Sequence, residues 1–239
     1  MSEYAKIDTL FDRGADFKVD VTRVRRPEFA AIDRWRVDEK LDGMNIRLIL
    51  RDDPDAPAEV RGRTDRATVP DGVRRAATDH LRWNPSNLHP GQVGLVVYGE
   101  GLGPKVNGNP HRLDHCEFRV FDVRPLIARS FETGHVDEAE VVATHISYNE
   151  CLGRWLERVD VRAVAVALGL AMVPEIAVTP RNDIVWAVRV REGADAIQRP
   201  DSPWRGLGGG FEGVVCRPLT ELRTPRGDRV VWKLKVRDF

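Results

Sequence analysis

The sequence predicts an α+β fold, with antiparallel sheets at its core and helices on their outside. Three observations predict it. Strand-like runs dominate both ends of the chain, helix-like runs are inserted between them, and no repeat or low-complexity segment appears. In chain order, a helix-like run at Pro27–Asp33 comes first. The strands Trp35–Lys40 and Asn45–Leu50 follow and flank Asp42-Gly43, a turn signal. A helix-like run at Asp71–Trp83 precedes the strands Val93–Glu100 and Glu117–Val123. Leu152, Trp155, Leu156 and Val159 recur at helical spacing and predict a helix over Cys151–Leu168. Another helix is predicted over Asn182–Ala196, with Asn182 or Asp183 as its cap. Gln198–Gly210 reads as a loop inside a domain, leading into the strands Phe211–Arg217 and Arg229–Val236.

With 239 residues, the chain is expected to form one domain spanning 1–239. Its 37 basic and 37 acidic residues cancel, so any nucleic-acid contact must come from a local patch. Cys116, Cys151 and Cys216 are widely spaced and odd in number, which is no disulfide framework and points to a reducing compartment. No apolar run approaches the roughly 18 residues of a membrane span. The N-terminus lacks the apolar core of a signal peptide. A cytoplasmic protein without a membrane partner is expected.

The basic residues are unevenly divided: six are lysine and 31 are arginine. A chain so rich in arginine keeps lysine mainly where arginine cannot substitute. Arginine stays protonated, whereas a lysine amine becomes a nucleophile once burial or neighbouring cations lower its pKa. Lys40, Lys233 and Lys235 stand in motif-like strands. Alternation along Arg229–Val236 puts Lys233 and Lys235 on one face, about 7 Å apart, suited to holding phosphate oxygens. A solvated strand face would read the same way. Glu212 stands alone in the apolar run FEGVV, where a carboxylate must be paired, metal-bound or solvated. Glu100 ends a strand before a glycine-rich loop carrying Lys105 and Asn107, a pattern that suits ribose hydroxyls or an ordinary turn. Phe121 in FRVFD fits base stacking or a core position.

Taken in order, EKLDG, GRTD, YGEGLG, FRVFD, FEGVV and WKLK resemble motifs I, Ia, III, IIIa, IV and V of the covalent nucleotidyltransferases, the polynucleotide ligases and mRNA-capping enzymes. Each string is weak alone, but six in order across 39–235 are specific. Glu39 before the lysine, Asn45 two residues after the glycine, and GEGLGPKVNG resemble the RNA ligase 2-like phage RNA ligases. The strings AKIDTLF and PEF are also similar to that branch.

The resemblance implies an ATP-grasp-like adenylation domain of the DNA-ligase type, ATP with Mg²⁺ or Mn²⁺, and a monomer that repairs RNA. Lys40 would attack the α-phosphate of ATP and carry AMP. The AMP would pass to a 5′-phosphate end, which a 3′-hydroxyl then seals, with RNA the favoured nucleic acid. Glu39 would read adenine and Phe121 would stack on it. Glu100 would bind ribose, while Asn45 and Arg63 would contact phosphate or the polynucleotide end. Lys233 and Lys235 would grip the α-phosphate. Glu212 would bind the metal, with Asp122 as a second ligand. Arg61 is the alternative to Arg63, and Asp42, Gly43 and Lys105 are secondary candidates.

Two departures stand out. Met44 replaces the threonine that commonly follows the motif I glycine. The chain also stops four residues beyond Lys235, so no C-terminal OB-fold is expected, and sealing would be weak or need an accessory or end-healing protein. Three rivals share the fold: a DNA nick ligase, an RNA guanylyltransferase and a non-catalytic end-binding module. His111, His115 and Cys116 in HRLDHC have no second ligand pair nearby and read as structural. Arg23–Arg26 reads equally as a solvated face or a phosphate contact, whereas Arg61–Arg66 coincides with motif Ia. Trp83, Trp155, Trp186, Trp204 and Trp232 read as packing residues.

Overall fold

A computed structural model describes residues 3–53, 55–128, 150–189 and 211–239. Its fold is α+β and is organised around two sheets. The first comprises β1 (Asp8–Thr9), β4 (Arg34–Lys40), β11 (Glu175–Pro180), β12 (Gly213–Arg217) and β13 (Trp232–Lys235), in the order β1-β13-β12-β4-β11. The second has the order β10-β8-β7-β5-β6, with β9 also paired to β8. Its strands are β5 (Met44–Arg51), β6 (Glu59–Gly62), β7 (Gln92–Leu102), β8 (Glu117–Ala128), β9 (Glu150–Leu152) and β10 (Ala171–Met172). A small ribbon pairs β2 (Phe11–Arg13) with β3 (Val19–Val24).

The expectation of antiparallel sheets is corrected in two places. β1 runs parallel to β13, and β10 runs parallel to β8. Both are edge strands of two residues, too short to show period-two alternation in sequence. β6 and β11 were likewise not expected.

The Asp42-Gly43 turn does not close a hairpin. β4 and β5 on either side of it belong to different sheets. Gly43 turns where a Cβ would lie 2.5 Å from the Gly101 carbonyl oxygen, so only glycine fits against β7 there. Motif I therefore marks the crossing between sheets.

Each sheet buries one face under helices. Trp35, Val37, Val214, Cys216, Trp232 and Leu234 form one core with α1 (Pro27–Ala31) and α4 (Arg181–Arg189), whose buried residues include Phe29 and Ile184. Trp35 and Trp232 meet edge to face at 5.3 Å. Ile46, Leu48, Leu50, Val97 and Val120 form the second core, with α2 (Asp71–Thr78) and α3 (Arg158–Leu168). The opposite face of the second sheet, including Ile49, Val96 and Tyr98, packs against Tyr4 of the N-terminal segment.

The helix expected over Cys151–Leu168 begins only at Arg158. Residues 150–152 are strand β9, and Trp155 lies between the two elements, packed on Tyr4 and Tyr98. Leu152, Trp155, Leu156 and Val159 fall in a strand, a loop and a helix, and Val159 is exposed, so their helical spacing is not one buried stripe. Val161, Ala165 and Leu168 are the buried stripe of α3, and Gly169 ends it at φ 72°. The helix expected over Asp71–Trp83 stops at Thr78, beyond which Arg82 donates its backbone N–H to Leu168. The second half of the expected helix Asn182–Ala196, the stretch 198–210 and Trp204 lie outside the described residues. No helix among the described residues is long and apolar enough to cross a membrane.

Candidate active site

Strand register builds the site. Gly213 on β12 pairs with Lys40 on β4 at one side and with Lys235 on β13 at the other. One step along, Val215 pairs with Asp38 and with Lys233. Residues opposite each other in adjacent strands share a face, so Lys40, Lys233 and Lys235 emerge together. This face looks away from the Trp35–Trp232 core. Gly213 sits at φ 153°, and a Cβ there would lie 2.1 Å from the Leu234 carbonyl oxygen, so the row between Lys40 and Lys235 carries no side chain of its own.

Glu212 precedes that glycine. One carboxylate oxygen is bonded to the Lys40 ammonium and the other to the Lys235 ammonium. Burial raises the carboxyl's pKa, but the bonds to Lys235 and Lys40 outweigh it and hold the group below its usual range. Lys233 is pushed down to about 8, by burial first and then by repulsion from Lys235, Lys40 and Lys6. Glu100, at the end of β7, is pushed up to about 7, mainly by burial. The neighbouring Lys40 and the Gly43 backbone offset part of that rise.

A cleft of about 360 Å³ opens over this row. Its lining joins Lys40, Glu39, Asn45, Arg63, Glu100, Phe121 and Lys233 to Lys6 and Arg217. The volume suits a small-molecule ligand. Asn45 lines it, and its amide oxygen is buried without a hydrogen-bond partner. Met44 also lines the cleft while packing on the second core, so a thioether replaces the expected hydroxyl at that wall.

The structure separates the remaining candidates. Arg63 is exposed and lines the cleft. Arg61 is instead bound to Glu59 and, at 3.3 Å, to Asp65. Lys105 is exposed on the loop after β7 and does not line the cleft. Asp122, expected as a second metal ligand, does not line the cleft. Its carboxylate is buried and accepts from Tyr4 Oη at 2.5 Å, Arg217 at 3.1 Å and Arg229 at 2.9 and 3.1 Å. Burial pushes this carboxyl up, but Arg217 and Arg229 outweigh it and hold it well below the usual range. Arg217 in turn bonds Asp38 at 2.7 Å, and Arg158 bonds the other oxygen of Asp38 at 2.7 Å. This buried chain of ions ties β4, β8, β12 and α3 together beneath the cleft. Glu212 is the carboxylate that faces the lysines, with Glu100 electrostatically coupled to it.

Sequence reading missed Lys6, Arg217 and His111. Lys6 is the third lysine that lines the cleft, and it stands outside any strand, where no motif singled it out. Arg217 looks in sequence like any of 31 arginines. His111 Nε2 accepts the Asp42 N–H at 3.1 Å, so HRLDHC serves the motif I turn.

Comparison with known proteins gives one family and a set of folds. The family model described as RNA ligase matches residues 33–235. A search of curated proteins finds no match. Among solved structures, an archaeal ATP-dependent RNA ligase superposes with a TM-score of 0.55 at 20% identity, covering 98% of this chain and 48% of that one. An RNA ligase variant from Naegleria gruberi, solved with ATP and Mn, gives 0.53 at 16% identity, covering 98% and 56%. A putative ATP-dependent DNA ligase from Aquifex aeolicus gives 0.54 at 15% identity, covering 97% and 49%. The chain thus spans about half the length of each of these structures.

Proposed function

The chain belongs to the RNA ligase family, and on that footing we propose that it is an ATP-dependent RNA ligase using Lys40 as nucleophile. The observation that carries this reading is the row Lys40–Gly213–Lys235, with Glu212 held between two ammonium groups beside a cleft that Lys40 and Lys233 line. Of the six lysines, Lys6, Lys40 and Lys233 line that cleft, and Lys235 stands beside them.

In the proposed reaction the Lys40 amine attacks the α-phosphorus of ATP. A P–N bond forms, the bond to pyrophosphate breaks, and AMP stays on the protein. Lys233 and Lys235 would neutralise charge on the α-phosphate, for which positioning and electrostatics provide most of the help. Phe121 and Glu39 would hold adenine, and Glu100 the ribose. Arg63 and the unpartnered Asn45 oxygen would meet the phosphates or the polynucleotide end. The donor set fits a divalent cation, since Mg²⁺ and Mn²⁺ take one or two carboxylates beside phosphate oxygens. Glu212 would hold it, with Glu100 near, and the cation would supply further charge neutralisation at the phosphates. Attack requires neutral Lys40, so Glu212 must release its ammonium before the bond forms.

The test is incubation with labelled ATP or GTP followed by denaturing electrophoresis. Label from ATP that survives denaturation and vanishes in Lys40→Ala supports the reading. Label from GTP alone would instead indicate a guanylyltransferase. Strand joining on 5′-phosphorylated RNA, DNA and nicked hybrids then separates an RNA ligase from a DNA ligase, which the fold likenesses do not.

A further inference from the structure

We propose that His111 and Asn107 are positioning residues that clamp the Asp42-Gly43 turn and thereby aim Lys40. The proposal rests on the reading of Lys40 as the nucleophile. The turn is held from one side by the end of β7 and the loop that follows it. The Asn107 amide donates to Asp42 Oδ1 at 3.0 Å and to the Gly43 carbonyl at 2.8 Å. His111 Nε2 takes the Asp42 N–H at 3.1 Å. One backbone N–H of the turn, one carbonyl and the Asp42 side chain are thus committed to a single loop, two residues beyond Lys40.

The chemistry of the His111 contact is one-directional. A backbone N–H only donates, so Nε2 must present its lone pair. Any replacement must therefore bring an acceptor to the same place.

The loop is built to hold still. Asn107, Asn109 and Arg112 sit at φ 46°, 56° and 53°, in the left-handed region that non-glycine residues seldom occupy. Such backbone persists where its surroundings over-determine it, and it gathers at functional sites. Here the Asn109 side chain bonds both the N–H and the carbonyl of Leu113, at 2.9 and 2.8 Å. Backbone bonds Val106–Gly103, Asn109–Val106 and Arg112–Asn109 stitch the loop further, and Val106 anchors it in the second core. Lys40 has a flexible stem, so a rigid turn beside it converts loop order into aim at an α-phosphate.

The experiment compares the parent with His111→Phe, His111→Gln and Asn107→Gly. Phe fills the ring's space without an acceptor, and Gln carries an amide oxygen near the Nε2 position. Gly keeps the left-handed backbone and removes only the amide, separating lost hydrogen bonds from backbone strain. Single-turnover labelling of Lys40 at saturating ATP is measured beside thermal unfolding and amide hydrogen exchange at Asp42 and Gly43. His111→Phe and Asn107→Gly should label about 10- to 100-fold more slowly, the loss a misplacement of about 1 Å produces. Both should keep the parent's KM for ATP and its melting temperature, and both should lose amide protection at the turn. His111→Gln should label and protect like the parent. Parent-like labelling by His111→Phe, or equal slowing by Phe and Gln, would overturn the proposal. A parent that takes no label counts against the Lys40 reading. Amide exchange then decides the clamp by itself: loss of protection in His111→Phe supports it, and unchanged protection overturns it.

Discussion

Two carboxylates of this chain live in opposite company. Glu212 sits between the lysines Lys40 and Lys235, beside the open cleft that Lys40 lines. Asp122 sits between the arginines Arg217 and Arg229, capped by Tyr4 and sealed from solvent. Arginine keeps its charge under any condition the fold survives, and its planar fork locks a carboxylate in place. Lysine offers a point charge on a flexible stem and a nitrogen that becomes a nucleophile on losing its proton. The arginine cluster is therefore built to stay as it is, and the lysine cluster to be taken apart during reaction.

Substitution of Lys40 by arginine tests that division most sharply. The Glu212 ion pair can form again, so the melting temperature should stay near the parent's, while covalent labelling from ATP should vanish. Partial labelling in this variant would mean that another amine carries the AMP.

Asp122→Asn should do the converse. It removes the carboxylate that two buried guanidinium groups share, leaving Arg217 to Asp38 and Arg229 to Glu221, and so costs less than the roughly 3–5 kcal/mol of a fully broken buried pair. Denaturant unfolding should show that loss, while the folded variant still labels Lys40. An unfolding free energy equal to the parent's would mean that Asp38 and Glu221 compensate Arg217 and Arg229 by themselves.

Glu100→Gln gives the smallest effect and sharpens the comparison through pH. The Glu100 carboxyl is raised from its ordinary 4.5 to about 7. Between those values the folded protein holds this proton and the unfolded chain does not, so the group's stabilising contribution falls as pH rises through the window. Glutamine has the same shape and no proton to lose. Its advantage over the parent in thermal unfolding should therefore be largest above pH 7 and fade toward pH 4.5. A constant difference across that range would mean the carboxyl does not titrate there.

Much of this was legible in the chain. Six of the strands were, because alternation and β-branched residues report a half-buried ribbon locally. So was the shared face of Lys233 and Lys235, since residues two apart on a strand must point the same way. The lysine scarcity singled out positions 40, 233 and 235 and passed over Lys6, which stands outside any strand. The helix expected from Cys151 failed because its apolar residues fall in a strand, a loop and a helix, with Val159 exposed, and only by coincidence keep one period. Arg61 and Arg63 could not be told apart, being two residues from each other on one run. Their difference lies in Glu59 and Asp65, which claim Arg61.

The sequence by itself determined the strand pattern, the nucleophile-capable lysines and the order of the motifs, because each depends on neighbours a few residues apart. Only the tertiary structure decided that Glu212 faces Lys40 from 172 positions away while Asp122 turns inward to arginine. It alone decided that the Asp42-Gly43 turn crosses between sheets, and that His111 grips that turn from 69 positions away. Those outcomes depend on which strands lie side by side and in what register. That choice is made by burial of the whole set of apolar faces at once, and no single segment carries it.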